Sequence, residues 1–217
     1  LNEGKTKPPA KERLVITAPN FQTIELLCRG NAPYVQHKFS ARTRGKMMAT
    51  QQAGAKSKSK TTREPRDFEA DYRAAMYVAE DGWYGIPAAA FRNAMISACR
   101  CAGYVMTKAK LALKVEADGT DADDGTPLVR ITKGEPELWI APARNDNGGT
   151  DLRARPRWDA WELLLRVTFD ADMLGPEDIA NLVMRAGLQV GVGEGRPDSK
   201  KSNGLSFGTW DIVQGAP

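Results

Sequence analysis

The chain has 217 residues, 41% of them hydrophobic, and 31 lysines and arginines against 27 aspartates and glutamates, for a formal net charge of +4. That is enough apolar material for a buried core, yet charge interrupts each apolar run far short of the roughly 20 residues that a bilayer-crossing helix requires. Composition excludes a transmembrane helix, and a single histidine with three cysteines and no CxxC pair argues against a structural zinc centre.

The N-terminal LNEGKTKPPAKER is polar and lacks the apolar core of a secretory signal, so the expected compartment is a reducing cytoplasm. Cys28, Cys99 and Cys101 are expected as small buried core residues. TIELLCRG (23–30) predicts the first strand, with PYVQHKFS (33–40) extending it after a turn. Residues 41–66 hold few large apolar groups, too few to offset the entropy of ordering them, and read as a long mobile basic insertion. DFEADYRAAMYV (67–78) alternates and predicts a strand or a hairpin arm.

AAAFRNAMISACRCAG (88–103) predicts a helix, since Phe91, Met95, Ala98 and Ala102 recur every three or four positions between Pro87 and Gly103. Arg92 and Arg100 would share one broad face of it. KLALKVEA (110–117) predicts a strand, and PLVRITKG and ELWIAPARN predict the two arms of a hairpin around residues 134–136. RWDAWELLLRVTFD (157–170) fits a helix at its centre or, in LLLRVTFD, a long buried strand. GPEDIANLVMRAG (175–187) predicts a second helix, with acids in its first turn and Arg185 in its last. FGTWDIV (207–213) predicts the final strand.

Without its insertions, the order is strand, helix, strand, strand, helix, strand. This predicts an α+β domain over residues 1–217, with the split βαβ core of ferredoxin-like and RNA-recognition folds: an antiparallel sheet with two helices on one face. Residues 118–156 would form a hairpin insertion, and the helix-free sheet face would remain for ligand or for the added hairpins.

Charge is segregated. Lys38, Arg42, Arg44, Lys46, Lys56, Lys58, Lys60 and Arg63 stand against the lone acid Glu64, whereas ADGTDADDG (117–125) is acidic. That acidic stretch lacks the glutamate that closes an EF-hand loop, so it reads as a solvated turn. GVGEGRPDSKKSNGLSFG (191–208) combines Gly191, Gly193, Gly195, Gly204 and Gly208 with Arg196, Lys200 and Lys201. Side chains are missing from one side of such a backbone, so a phosphate or another strand could approach closely. No GxxxxGK[ST] sequence is present and no helix follows, which argues against nucleotide hydrolysis. A plain surface connection is the alternative reading.

WYGIPAAAFRNAMISACR (83–100) together with residues 187–213 resembles the RAMP superfamily, ferredoxin-like proteins of CRISPR effector backbones and crRNA-processing nucleases. Ile86, Pro87, Phe91, Arg92 and Arg100 match the family's approach to its first helix, and Gly191 to Gly208 with Val213 match its late glycine-rich loop and last strand. Alanines stand where the family often has small polar residues and a lysine. The chain also resembles proteins of tailed phages and prophages, which implies the host-cell cytoplasm.

Two cationic, weakly self-structured segments in one small fold point to a polyanionic partner. The expected function is non-catalytic binding of single-stranded RNA or DNA through its phosphates, with little sequence readout. Lys38 to Arg63 would clamp the strand, Arg92 and Arg100 would add a helix-borne contact, and Arg196, Lys200 and Lys201 a loop contact. Phe39, Tyr84, Trp158 and Trp210 are candidates for stacking on bases, or core residues. The flexible arm would let copies assemble into a homo-oligomer or filament along the strand. No cofactor or metal is expected. Two alternatives remain: an endoribonuclease of the RAMP type using His37 as general base, and a phage structural or scaffold protein that binds only protein.

Overall fold

The computed structural model describes residues 16–39, 41–54, 65–144, 149–199 and 204–213. In chain order it contains β1 (Phe21–Gly30), β2 (Tyr34–Val35), α1 (Ala41–Ala53), α2 (Phe68–Ala74), β3 (Gly85–Pro87), α3 (Ala88–Ala102), α4 (Met106–Ala112) and β4 (Leu113–Val115). There follow β5 (Gly119–Thr120), β6 (Pro127–Arg130), β7 (Glu137–Arg144), β8 (Thr150–Trp158), β9 (Glu162–Asp170), α5 (Pro176–Arg185) and β10 (Trp210–Ile212).

The fold is mixed α+β. Its main sheet runs β10-β1-β9-β4, with every neighbouring pair antiparallel. β1 and β9 pair over nine residues, Phe21 opposite Asp170 through Arg29 opposite Glu162. This register puts Ile24, Leu26 and Cys28 on the face that carries Leu163, Leu165, Val167 and Phe169, and α3 and α5 complete the cluster with Phe91, Met95, Ile179 and Val183. The α3 helix ends at Gly103 in the left-handed region, whose N–H caps Cys99 O. Phe91 meets Trp210 edge-on with ring centroids 5.4 Å apart, tying α3 to the last strand.

The other face of this sheet is a lattice of paired charges, not a cationic platform. Arg29 donates to Glu162 at 2.7 Å, Arg166 to Asp118 at 2.5 Å and Lys114 to Glu116 at 2.9 Å. The Thr23 and Thr168 hydroxyls meet at 2.8 Å. Two smaller sheets, β2-β8-β7 and β3-β6-β5, account for the remaining strands.

Several elements differ from the sequence expectation. Ala41–Ala53, the first half of the expected insertion, is a helix, and residues 55–64 of it lie outside the described residues. Residues 67–78 open with helix α2, because Asp67 accepts the N–H of Ala70 and caps it. The strand expected over 110–117 is shortened to Leu113–Val115 because α4 runs up to Ala112. β6 and β7 are not each other's partners: β6 pairs with β3 and β5, and β7 with β8. After α5 the chain widens into a π-helical turn over Ala186–Val190, so the expected stop at Gly187 lies inside it. No helix of the described residues is long and apolar enough to cross a membrane.

Candidate nucleic-acid interface

Among the described residues, Lys38, Arg44, Arg92, Arg100 and Arg196 of the expected cationic set all have protein partners. Lys38 is buried, its ammonium 2.5 Å from Asp121 and 3.2 Å from Asp123. Burial disfavours that charge, but the hydrogen bonds to the two aspartates outweigh it and hold the lysine pKa above its ordinary value. The acidic stretch is therefore a solvated turn only in part, exposed over residues 122–125 but sealed at Asp121. Asp121 is itself buried, and it also accepts the N–H groups of Val78, Asp123 and Asp124. Asp121, Asp123 and Asp124 cluster closely enough to hold a metal ion. The Lys38 ammonium and the Arg44 guanidinium instead supply their counter-charge, Arg44 at 2.7 Å from Asp123 and 2.8 Å from Asp124.

Arg92 and Arg100 do not make a shared basic face. Arg92 turns its guanidinium onto the carbonyls of Leu113 and Lys110, capping the end of α4. Arg100 pairs with Asp198 at 2.5 Å, and that bond holds the aspartate's pKa below the usual carboxylate range. At the far end of the insertion Arg66 bonds Asp71, Asp151 and the Leu152 carbonyl. Lys46 lies on α1, as does Arg42, whose side chain is outside the described residues. Lys56, Lys58, Lys60, Arg63, Lys200 and Lys201 also lie outside the described residues.

The glycine-rich loop owes its glycines to the protein's own packing. Gly191, Gly193, Gly195, Gly204 and Gly208 all have φ between +65° and +80°, the left-handed region that favours glycine. A Cβ on Gly193 would stand 2.5 Å from Val35 O, and one on Gly208 only 1.8 Å from Val192 O. The chain that approaches so closely is β2, whose Val35 carbonyl accepts the Glu194 N–H at 2.9 Å. Gly208 donates to Pro33 O at 2.7 Å, and Val192 to Gly208 O at 3.0 Å.

This fixed loop brings together residues that sequence reasoning missed. In β8 the alternation of RARPR puts Arg153, Arg155 and Arg157 on one face. That face meets the loop. Arg155 pairs with Glu194 at 2.8 Å, while the Arg157 guanidinium lies over the rings of Trp139 and Phe207, 5.9 Å and 5.6 Å from their centroids, beside Asp159 at 2.6 Å. The period-two spacing of three arginines was the available signal. On the loop's other side a cavity of about 220 Å³ opens against α3, lined by Asn93, Ser97, Arg196, Asp198 and the backbone of Gly191 and Gly193.

His37 sits at the junction. Its Nδ1 is 3.8 Å from a Glu194 carboxylate oxygen, and its side chain is half exposed. Burial, then Arg155, push its pKa below the ordinary value, with Arg153 adding to this and Glu194 opposing it. The next residue, Lys38, faces the acidic loop instead, so the chain passes from the arginine-bearing surface to the acidic loop between these two residues. Of the stacking candidates, Trp158 and Trp210 are fully buried, Tyr84 is half-buried, and Phe39 is exposed. Cys28 and Cys99 are buried as expected, whereas Cys101 is exposed on the last turn of α3. In comparisons with known protein families and with curated proteins, the chain matches no family model and no curated sequence.

Proposed function

We propose that this chain binds single-stranded nucleic acid through its phosphate backbone, without catalysing a reaction on it, along the surface formed by the glycine-rich loop and β8. One observation carries the reading: Arg153, Arg155 and Arg157 share one face of β8, which meets the loop at Glu194 and Phe207, and Arg196 stands on the loop itself, bonded to Gly193 O. Arginine suits this role, because its planar guanidinium stays charged and fits phosphate oxygens with two donors. The strand order β10-β1-β9-β4, with two helices sharing one core, supports a ferredoxin-like reading of the sheet, the fold that the RAMP resemblance implies.

The reading includes assembly of copies along the strand, which Leu138, Ile140 and Leu152 support by standing exposed on the β7–β8 hairpin face opposite the arginines. Fluorescence anisotropy with labelled dT30 and U30 at two salt concentrations tests it. Arg153→Glu with Arg196→Glu is expected to weaken both ligands at least tenfold, and each lost phosphate contact to lower the salt slope by about 0.7. Wild-type protein that binds neither oligonucleotide at low salt overturns the proposal.

A second reading, metal-independent RNA cleavage, draws on His37 being held neutral beside Glu194 and two arginines. A neutral imidazole can accept the 2′-hydroxyl proton while arginine offsets charge on the phosphorane. Cleavage of a hairpin RNA that is lost in His37→Ala, and never seen on the 2′-deoxy substrate, would replace the binding reading with this one.

A further inference from the structure

We infer that the acidic loop of residues 121–124 is a built-in competitor for nucleic acid, holding the basic helix α1 closed until a phosphate backbone displaces Arg44 from Asp123 and Asp124. The inference rests on the nucleic-acid reading above and concerns regulation of that surface. It begins with what holds α1 in place. The helix ARTRGKMMATQQA has no apolar stripe, and Met47 and Met48 are exposed, so hydrophobic burial does not fix it. It carries Arg42, Arg44 and Lys46 and no acid at all.

Two cations reach from this part of the chain into the acidic loop, and they differ in kind. Lys38 is sealed in, its side chain 6% exposed against Asp121 at 1%. Arg44 is open to solvent, 31% exposed, with Asp123 at 38% and Asp124 at 22%. The first contact is a permanent anchor. The second is exchangeable, because a solvated ion pair is worth little and salt or another anion competes for it. Two carboxylates spaced to take both terminal nitrogens of one guanidinium offer it what a phosphate would. His37, at the edge of the arginine-bearing surface, is next in sequence to Lys38, which shares Asp123 with Arg44. Exchange leaves Asp123 still bound by Lys38 and Asp124 still accepting from Thr126, so opening strands no carboxylate.

The test is Asp123→Asn with Asp124→Asn, which removes the competing charge while the amide oxygens keep the acceptor for Thr126 and Asp121 keeps Lys38. Affinity for dT30, read by anisotropy, is expected to rise roughly fivefold. Adding Arg44→Gln to the double variant is expected to cancel that gain. Affinity that does not rise overturns the latch, and so does a gain that survives Arg44→Gln in full, since it would reflect bulk charge alone. Binding by wild type with no gain in the variant sinks only the latch, whereas no binding by either protein sinks the nucleic-acid reading together with it.

Discussion

The loop at 191–198 and helix α1 have something in common as composition: both are polar and poor in large apolar side chains. Their physical states are opposite. The loop is stitched into the body by main-chain hydrogen bonds to β2 and Gly208, with Arg155 bound across it to Glu194. The helix lies on the surface, with Lys38 and Arg44 binding the acidic loop beside it. Low apolar content therefore does not distinguish a rigid segment from a loosely held one. What distinguishes them is where the backbone's N–H and C=O groups find partners, and whether anything occupies the space beyond Cα.

Glycine substitutions in the two regions test this contrast most sharply. Gly208→Ala would place a methyl 1.8 Å from the Val192 carbonyl at a φ of +65°, so a loss on the order of 4 kcal/mol is expected from strain and overpacking together. Gly45→Ala, at a helical position with nothing within 4 Å, is expected instead to stabilise by about 0.5–1 kcal/mol. Urea denaturation of both variants decides it, and shifts of the same sign would erase the distinction.

Lys38→Met probes the anchor of the helical region. It leaves Asp121 buried without its cation, and a loss of about 3 kcal/mol is expected, the low end of the range for a broken buried pair because three N–H groups still solvate the carboxylate. A melting temperature equal to wild type would show that the ion pair does not hold this region.

The smallest effect concerns the charge around the loop. His37 is the chain's one histidine, so a proton NMR titration follows it without ambiguity. Its folded pKa lies below the unfolded value of 6.5, so the fold favours neutral imidazole. That contribution to stability is complete above pH 6.5 and is lost as pH falls through the folded pKa. Glu194→Gln removes the one influence that raises the pKa and is expected to lower it further, while Arg155→Gln is expected to raise it. A titration unmoved by Glu194→Gln would mean that the loop does not hold its carboxylate beside the ring.

Much of the core was legible because it rests on periodicity. The apolar spacing of 88–103 and the caps around 175–187 mark helices that any packing would preserve, and the alternation of LLLRVTFD survives as β9. Partner choice was not legible. ELWIAPARN pairs with the strand after it and not the one before it, a choice made by long-range packing that neither strand encodes alone. The surroundings of the expected cationic set were not legible for a related reason. Sequence shows the charge of Lys38, Arg44, Arg92 and Arg100, but only tertiary contact shows that Asp121, Asp123, a helix end and Asp198 already answer it. The arginines of β8 escaped notice because RARPR reads as a charged run until it is placed on a strand.

By itself the sequence determined which segments bury apolar faces and where charge of each sign is concentrated, since both follow from residue type and spacing along the chain. Only the tertiary structure decided which charges pair with one another. An ion pair is set by distances of a few ångströms between residues as far apart as Lys38 and Asp121 or Arg100 and Asp198, and no local pattern carries that separation.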